Sequence, residues 1–293
     1  MAETQTEVLL ESEFWQRPFR VYGGLACNSF MAESGSDWTP LHDAAFQGRL
    51  LSLRTLVAQG FPADMLSMDR VTPLHEACLA GHYACAKVLL DNGAMVEAVS
   101  SNGATPLFNA CSSGSGACVR LILQHRPAIH TTHLLASPIH EAARKGHREC
   151  MDLLLSYGAY IDLELPDLGT PLYSACLAGA TSCVQSLLHS GADVRVGCGQ
   201  DSPLHAAVDA GAVDVVELLM DHGADGSCRN SQGETPLDLA APNSTMRVTL
   251  QNRGPCSLSQ FCRLSIRRRL GGSRLPSTCL VLPHRLKDFL LYQ

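Results

Sequence analysis

Thirteen cysteines and twelve histidines in 293 residues are the side chains with the most chemistry to offer. Thiolates and imidazoles bind zinc, form disulfides and act as nucleophile and base, and each of these uses demands a characteristic spacing. No C-x-x-C pair occurs. Instead the cysteines follow a register: Cys78, Cys111 and Cys176 lie six residues after a recurring Thr-Pro dipeptide begins, and Cys85, Cys118, Cys150 and Cys183 lie thirteen residues after the same Thr or its Ser equivalent. Side chains repeated at fixed places in a helical pattern read as small core hydrophobes rather than as ligands or nucleophiles. Equivalent places on neighbouring packed helices lie roughly 10 Å apart, too far for a disulfide. His42, His75, His140 and His205 belong to the recurring phrase itself, and His82 and His147 follow a recurring glycine. His125, His130 and His133 cluster in one irregular stretch, where a metal reading competes with a polar loop, and the loop is preferred. Asn243-Ser244-Thr245 matches a glycosylation acceptor that has no meaning in the cytosol. No phosphate-binding glycine loop or paired-carboxylate motif stands outside the repeat. The expectation is a chain with no catalytic residue, no metal and no cofactor.

The phrase that orders these residues is Thr39-Pro40-Leu41-His42, Thr72-Pro73-Leu74-His75, Thr105-Pro106-Leu107-Phe108, Ser137-Pro138-Ile139-His140, Thr170-Pro171-Leu172-Tyr173, Ser202-Pro203-Leu204-His205 and Thr235-Pro236-Leu237-Asp238, with steps of 33, 33, 32, 33, 32 and 33 residues. A Thr or Ser hydroxyl caps a helix, and Pro at the first helical position gives up no available hydrogen bond. The first helix of each unit is short and closes at Gly48, Gly81, Gly114, Gly146, Gly179 or Gly211. A Leu-rich second helix follows, closing at Gly60, Gly93, Gly158, Gly191 or Gly223 in a left-handed cap. About ten residues remain, suited to a hairpin-like turn. Such a unit cannot bury its own apolar face, so the units must stack.

Residues 72–94, TPLHEACLAGHYACAKVLLDNGA, resemble the ankyrin-repeat consensus closely. The resemblance implies an all-α solenoid of helix-turn-helix-loop units of about 33 residues, whose first helices and loop tips form a concave partner-binding surface. Two departures stand out. Arg126-Pro127 replaces the Gly-Ala of the third unit, predicting a different helix cap there, and Pro242 interrupts the first helix of the seventh unit, predicting a truncated terminal cap.

After Gly254-Pro255 the period stops. Leu258, Cys262, Ile266 and Leu270 recur every four residues with Phe261 beside them, while Arg263, Arg267, Arg268 and Arg269 take the opposite side; Gly271-Gly272 ends this helix. A second apolar segment runs through Leu282, Pro283, Leu286, Phe289 and Leu290. Some forty residues with so few core positions are too small to be stable alone. Ser257-Leu258-Ser259-Gln260-Phe261-Cys262 with Ile266 resembles the Elongin B/C-binding box that opens a SOCS box, and Leu282-Pro283 with Leu286 resembles the cullin box that selects Cullin-5. The fuller cullin-box pattern has a second Pro where Arg285 stands. The combination resembles the ankyrin-repeat and SOCS-box family. It implies Leu258, Phe261, Cys262 and Ile266 as the Elongin contact, Leu282, Pro283 and Leu286 as the cullin contact, and a non-catalytic substrate receptor of an Elongin B/C–Cullin-5–RING ubiquitin ligase. The organisation expected is an aromatic-rich arm over 1–34, ankyrin repeats over 35–242 (six full and a truncated seventh), and a small helical SOCS box over 243–293.

Charge divides along the same line. From residue 252 onward eight Lys or Arg face one acid, a net of +7, so the preceding 251 residues carry −13. An acidic repeat region argues against nucleic acid, despite Arg267-Arg268-Arg269. No apolar run approaches the roughly 18 residues of a spanning helix, and the acidic N-terminus does not read as a signal peptide, so a cytoplasmic protein with no membrane insertion is expected. Only Lys87, Lys145 and Lys287 stand against 19 Arg, which fits either avoidance of self-ubiquitination or plain Arg-rich codon bias. The target is an unknown protein. Candidate contacts are Phe46, Leu79 and Leu177 on the first helices, the loop residues Met65, Leu66, Met68, Leu134 and Leu135, and Trp15 in the arm. Six of the sixteen aromatics (Phe14, Trp15, Phe19, Tyr22, Phe30 and Trp38) fall within 25 residues there, and the arm either caps the first repeat, the preferred reading, or folds onto the target. The competing function is an ankyrin scaffold that binds or inhibits a partner without ubiquitin.

Overall fold

The computed structural model describes residues 38–129, 137–242 and 244–252. Seven pairs of helices follow one another: α1 (Pro40–Phe46) and α2 (Leu50–Ala58), α3 (Pro73–Leu79) and α4 (Tyr83–Asp91), α5 (Pro106–Ser113) and α6 (Gly116–Gln124), α7 (Pro138–Arg144) and α8 (Arg148–Ser156), α9 (Pro171–Leu177) and α10 (Thr181–Ser190), α11 (Pro203–Asp209) and α12 (Val213–Asp221), then α13 (Pro236–Leu239) and α14 (Thr245–Asn252). The only β-pairing among the described residues is the isolated bridges Leu165–Gly169 and Cys198–Asp201. This is an ankyrin-type solenoid: first helices pack against first helices in one row, and second helices against second helices in another.

The phrase builds each pair as its chemistry requires. All seven Thr or Ser residues are N-caps in extended backbone, each followed by Pro at the start of the helix. The hydroxyls of Thr72, Thr105, Thr170, Ser202 and Thr235 accept from the backbone N–H three residues on. Two residues after the cap, Leu41, Leu74, Leu107, Ile139, Leu172 and Leu204 fill the core. On the second helices the buried pair recurs three apart, as Ala86 with Leu89, Val119 with Ile122, Met151 with Leu154, Val184 with Leu187 and Val216 with Leu219. One face of a 3.6-residue helix accounts for that spacing.

The histidines of the phrase tie each unit to the next. His75 Nδ1 accepts from the Thr72 N–H (3.1 Å) and hydroxyl (2.8 Å), while its Nε2–H donates to the Ala104 carbonyl at 3.1 Å. His42 spans Thr39 and the Val71 carbonyl, His140 spans Ser137 and the Gly169 carbonyl, and His205 spans Ser202 and the Glu234 carbonyl. A carbonyl can only accept, so Nε2 carries a proton in each; the Thr72 N–H can only donate, so Nδ1 of His75 carries none and that ring is neutral. Burial drives the pKa of His42 and His140 down and that of His75 to about 4.

The two departures resolve differently. Arg126 does not produce a new kind of cap: at φ 54° it adopts the left-handed conformation that Gly93 holds at 86°, and its N–H reaches Leu123 O at 3.1 Å as that of Gly93 reaches Leu90 O. What changes is the next bond. Ala94 N–H returns to Leu89 O at 3.0 Å, whereas Pro127 has no N–H to give. In the seventh pair, α13 stops after four residues at Ala240, which is extended, two residues before Pro242. Continuing the helix would drive the proline ring into the carbonyl four residues back. α14 lies beyond residue 242 and packs on α12 and α13.

Arg70 is a second non-glycine in the left-handed region, at φ 57°. Its N–H donates to Ser67 O at 2.9 Å, in the turn that Gly103 and Gly233 make in later units. Left-handed backbone costs an ordinary residue on the order of 1 kcal/mol. Arg70→Gly is therefore expected to raise stability by about 1 kcal/mol, read from the urea midpoint; an unchanged or lower midpoint would show that the Arg70 side chain offsets the strain.

Candidate partner-binding face

The buried thiols offer no reactive centre. All seven cysteines in the two register positions are free and fully buried. Burial pushes Cys111 and Cys176 well above the ordinary thiol range and Cys150 and Cys183 to about 11. Cys78 and Cys118 interact, which pushes Cys78 further up and draws Cys118 down. Cys118 has no exposed surface, so no substrate could reach its sulfur. Among the described residues no three His, Cys, Asp or Glu side chains gather as metal ligands; His130 and His133 lie outside them. Among those same residues no helix is long and apolar enough to cross a membrane.

The varying side chains of the first helices sit at two places, four and seven residues after the cap, the fourth buried or half-buried and the seventh more open. At the fourth place stand Asp43, Glu76, Asn109, Glu141 and Ser174. At the seventh stand Phe46, Leu79, Ser112, Arg144 and Leu177. The two places meet across adjacent units, where the Ser112 hydroxyl donates to Glu141 Oε1 at 2.7 Å, and within one unit, where Arg144 Nη2 pairs with Glu141 Oε2 at 2.7 Å. Asn109 Nδ2 donates to the His75 carbonyl at 3.1 Å. Phe46 is 42% exposed and Leu177 54%, while Leu79 is half-buried. Trp38 stands edge-on to Phe46, with ring centroids 6.3 Å apart.

Among the loop candidates, Leu66 and Met68 are exposed and Met65 is half-buried. Leu134, Leu135 and Trp15 lie outside the described residues, as do Leu258, Phe261, Cys262, Ile266, Leu282, Pro283 and Leu286. Three features of this face escaped the sequence. Met95 and Tyr160 are exposed tips, each 23 residues after its cap. Asp64, Glu97 and Asp162, each 25 residues after a cap, accept the N–H of Met95, Ala128 and Asp193 from the next loop, at 2.6, 2.7 and 3.0 Å. Those acids share a register, the signal by which the sequence could have revealed them. The burial of Glu76 carried no such signal, because a carboxylate at a varying surface place reads as solvated.

Comparison with known proteins accords with this architecture. Residues 22–100, 41–133, 94–167 and 129–198 match the family described as ankyrin repeats (3 copies), residues 187–240 match ankyrin repeats (many copies), and residues 254–291 match the SOCS box. Ankyrin repeat and SOCS box protein 11 of Danio rerio is 57% identical over 95% of both chains. Ankyrin repeat and SOCS box protein 9 of Mus musculus is 50% identical, over 90% of this chain and 92% of that one. The crystal structure of the human ASB11 ankyrin repeat domain superposes with a TM-score of 0.72 at 53% identity, covering 75% of this chain and all of that one. With stacked repeats carrying the outward face and a SOCS box after them, the chain belongs to the ankyrin repeat and SOCS box family.

Proposed function

We propose that the chain is a non-catalytic substrate receptor of an Elongin B/C–Cullin-5–RING ubiquitin ligase, gripping a target protein with its first helices and loop tips and docking the ligase through its C-terminal box. The observation that carries this is the SOCS box at 254–291 placed directly after the ankyrin stack. A SOCS box supports a substrate-recognition role in a cullin–RING ligase, and a chain of adaptor type has no need of a reacting group. In this reading Leu258, Phe261, Cys262 and Ile266 seat Elongin C, and Leu282, Pro283 and Leu286 meet Cullin-5. The proposed division keeps 1–34 as the arm, 35–242 as the repeats and 243–293 as the box region, with a cytoplasmic site of action. Phe46, Leu79, Leu177, Met65, Leu66, Met68, Leu134, Leu135 and Trp15 are the proposed target contacts. Rate enhancement here is proximity alone, since holding a target lysine beside a charged conjugating enzyme raises its effective concentration.

Capture by proximity labelling separates receptor from scaffold. A true target should be labelled equally by the wild-type chain and by Leu258→Ser with Cys262→Ala, and its abundance should fall only with the wild type. Partners whose abundance neither form alters would support the scaffold instead.

A further inference from the structure

The fourth place of the first helices carries a polar side chain in five consecutive units, and four of the five are tied down. Asp43 accepts from Gln47 at 2.6 Å and faces Arg49 at 3.9 Å. Asn109 donates to a carbonyl, Glu141 accepts from Ser112 and Arg144, and Ser174 donates to Leu168 O at 2.9 Å. Glu76 differs. It is 5% exposed, yet its carboxylate makes neither a hydrogen bond nor an ion pair among the described residues, and burial alone pushes its pKa to about 7.

The second and fourth units explain the difference. Around Glu141 the donors come from the seventh place of the preceding unit, Ser112, and of its own, Arg144. The same two places around Glu76 hold Phe46 and Leu79, which have nothing to donate. Phe46 is nevertheless 42% open to solvent and carries Trp38 against its edge. A carboxylate largely removed from water, with no partner among the described residues, is costly to the fold. Here it stands in an acidic region, beside an exposed aromatic surface. A guanidinium suits both halves of such a place: its planar donors pair with a carboxylate, and its weakly hydrated face stacks on an aromatic ring. An ammonium keeps its hydration more tightly and fits the apolar half less well.

We propose that Glu76, Phe46 and Leu79, with Trp38 beside them, form a receptor for an arginine side chain of the partner protein. The arginine supplies in the complex what Arg144 and Ser112 supply to Glu141 within the fold. This rests on the reading of the first-helix face as the target-binding surface, but not on the ligase contact.

The test is selection of a displayed random dodecapeptide library on the full chain and on Glu76→Gln. The wild type is expected to enrich arginine at one register position, and Glu76→Gln is expected to lose that enrichment while melting no lower than the wild type. In the tightest peptide, replacing that arginine by citrulline should weaken wild-type binding by about tenfold or more, as for a charge-assisted pair, and binding to Glu76→Gln by less than about twofold. Absence of arginine enrichment, equal acceptance of lysine, or the same citrulline effect in both proteins would overturn the proposal. None of these outcomes bears on Elongin retention, so failure here and failure of the receptor reading are separable.

Discussion

His75→Ala is expected to destabilise the repeat stack by about 3 kcal/mol, measured as the shift in urea unfolding at pH 7.5. The imidazole holds two partners at once: the Thr72 N–H and hydroxyl on its own unit, and the Ala104 carbonyl on the next. Thr72 is 1% exposed and Ala104 7%, so water cannot readily replace either bond. Leaving a buried polar group unpaired costs about 1–3 kcal/mol, and removal of the ring adds a cavity. Nearest-neighbour interfaces carry much of a solenoid's stability, so this loss falls on the junction between the second and third units. A loss below about 1 kcal/mol would mean that the bridge is dispensable. The same residue sets a pH dependence. The folded pKa of about 4 lies below the ordinary 6.5, so the unfolded chain binds the proton first, and the contribution present above 6.5 is lost as pH falls towards 4. His42 and His140, also lowered, act in the same direction.

Glu76→Gln is expected to do the reverse and stabilise the protein at pH 8, again by about 3 kcal/mol. Its folded pKa of about 7 lies above the ordinary 4.5, because burial disfavours the charge. The folded state therefore holds the proton longer, and stability is lost as pH rises from 4.5 to 7. A gap of about 2.5 pH units corresponds to about 3 kcal/mol. Glutamine keeps the shape and removes the charge, so the difference between variant and wild type should be largest at pH 8 and vanish by about pH 4.5. Glu76 opposes His75, His42 and His140 between about 4.5 and 6.5, so on acidification across that window the wild type should lose less stability than Glu76→Gln does. Urea midpoints at pH 5, 6, 7 and 8 check both curves. A variant less stable than the wild type at pH 8 would contradict the description of Glu76 as a buried carboxylate unpaired among the described residues.

The repeat was legible because its signals are local. A hydroxyl before a proline can only start a helix cleanly, and apolar residues three apart on the second helices can only point one way. The cysteine register followed from the same logic: from the second unit to the sixth, residues six and thirteen after the cap are core whether Cys, Ala or Val. What the sequence could not show depended on pairing across units. That the phrase histidines bridge to the next loop requires the stacking distance between Thr72 and Ala104. That Glu76 lacks a partner among the described residues while Glu141 has two depends on which side chains stand at positions 46, 79, 112 and 144. Arg126 was read as a different cap because left-handed backbone is a glycine habit; the structure keeps the conformation and loses only the N–H of Pro127. The contacts proposed for Leu258, Cys262 and Leu282 rest on sequence and on the SOCS-box match at 254–291.

The central claim is that one chain joins a gripping stack to a ligase-docking box, and co-purification with Elongin B/C tests it most directly. The full chain co-expressed with Elongin B and Elongin C should elute with both as one complex that then retains Cullin-5. Leu258→Ser with Cys262→Ala should elute alone with an unchanged melting temperature of the repeats. A wild-type chain that emerges without Elongin C would contradict the receptor function outright.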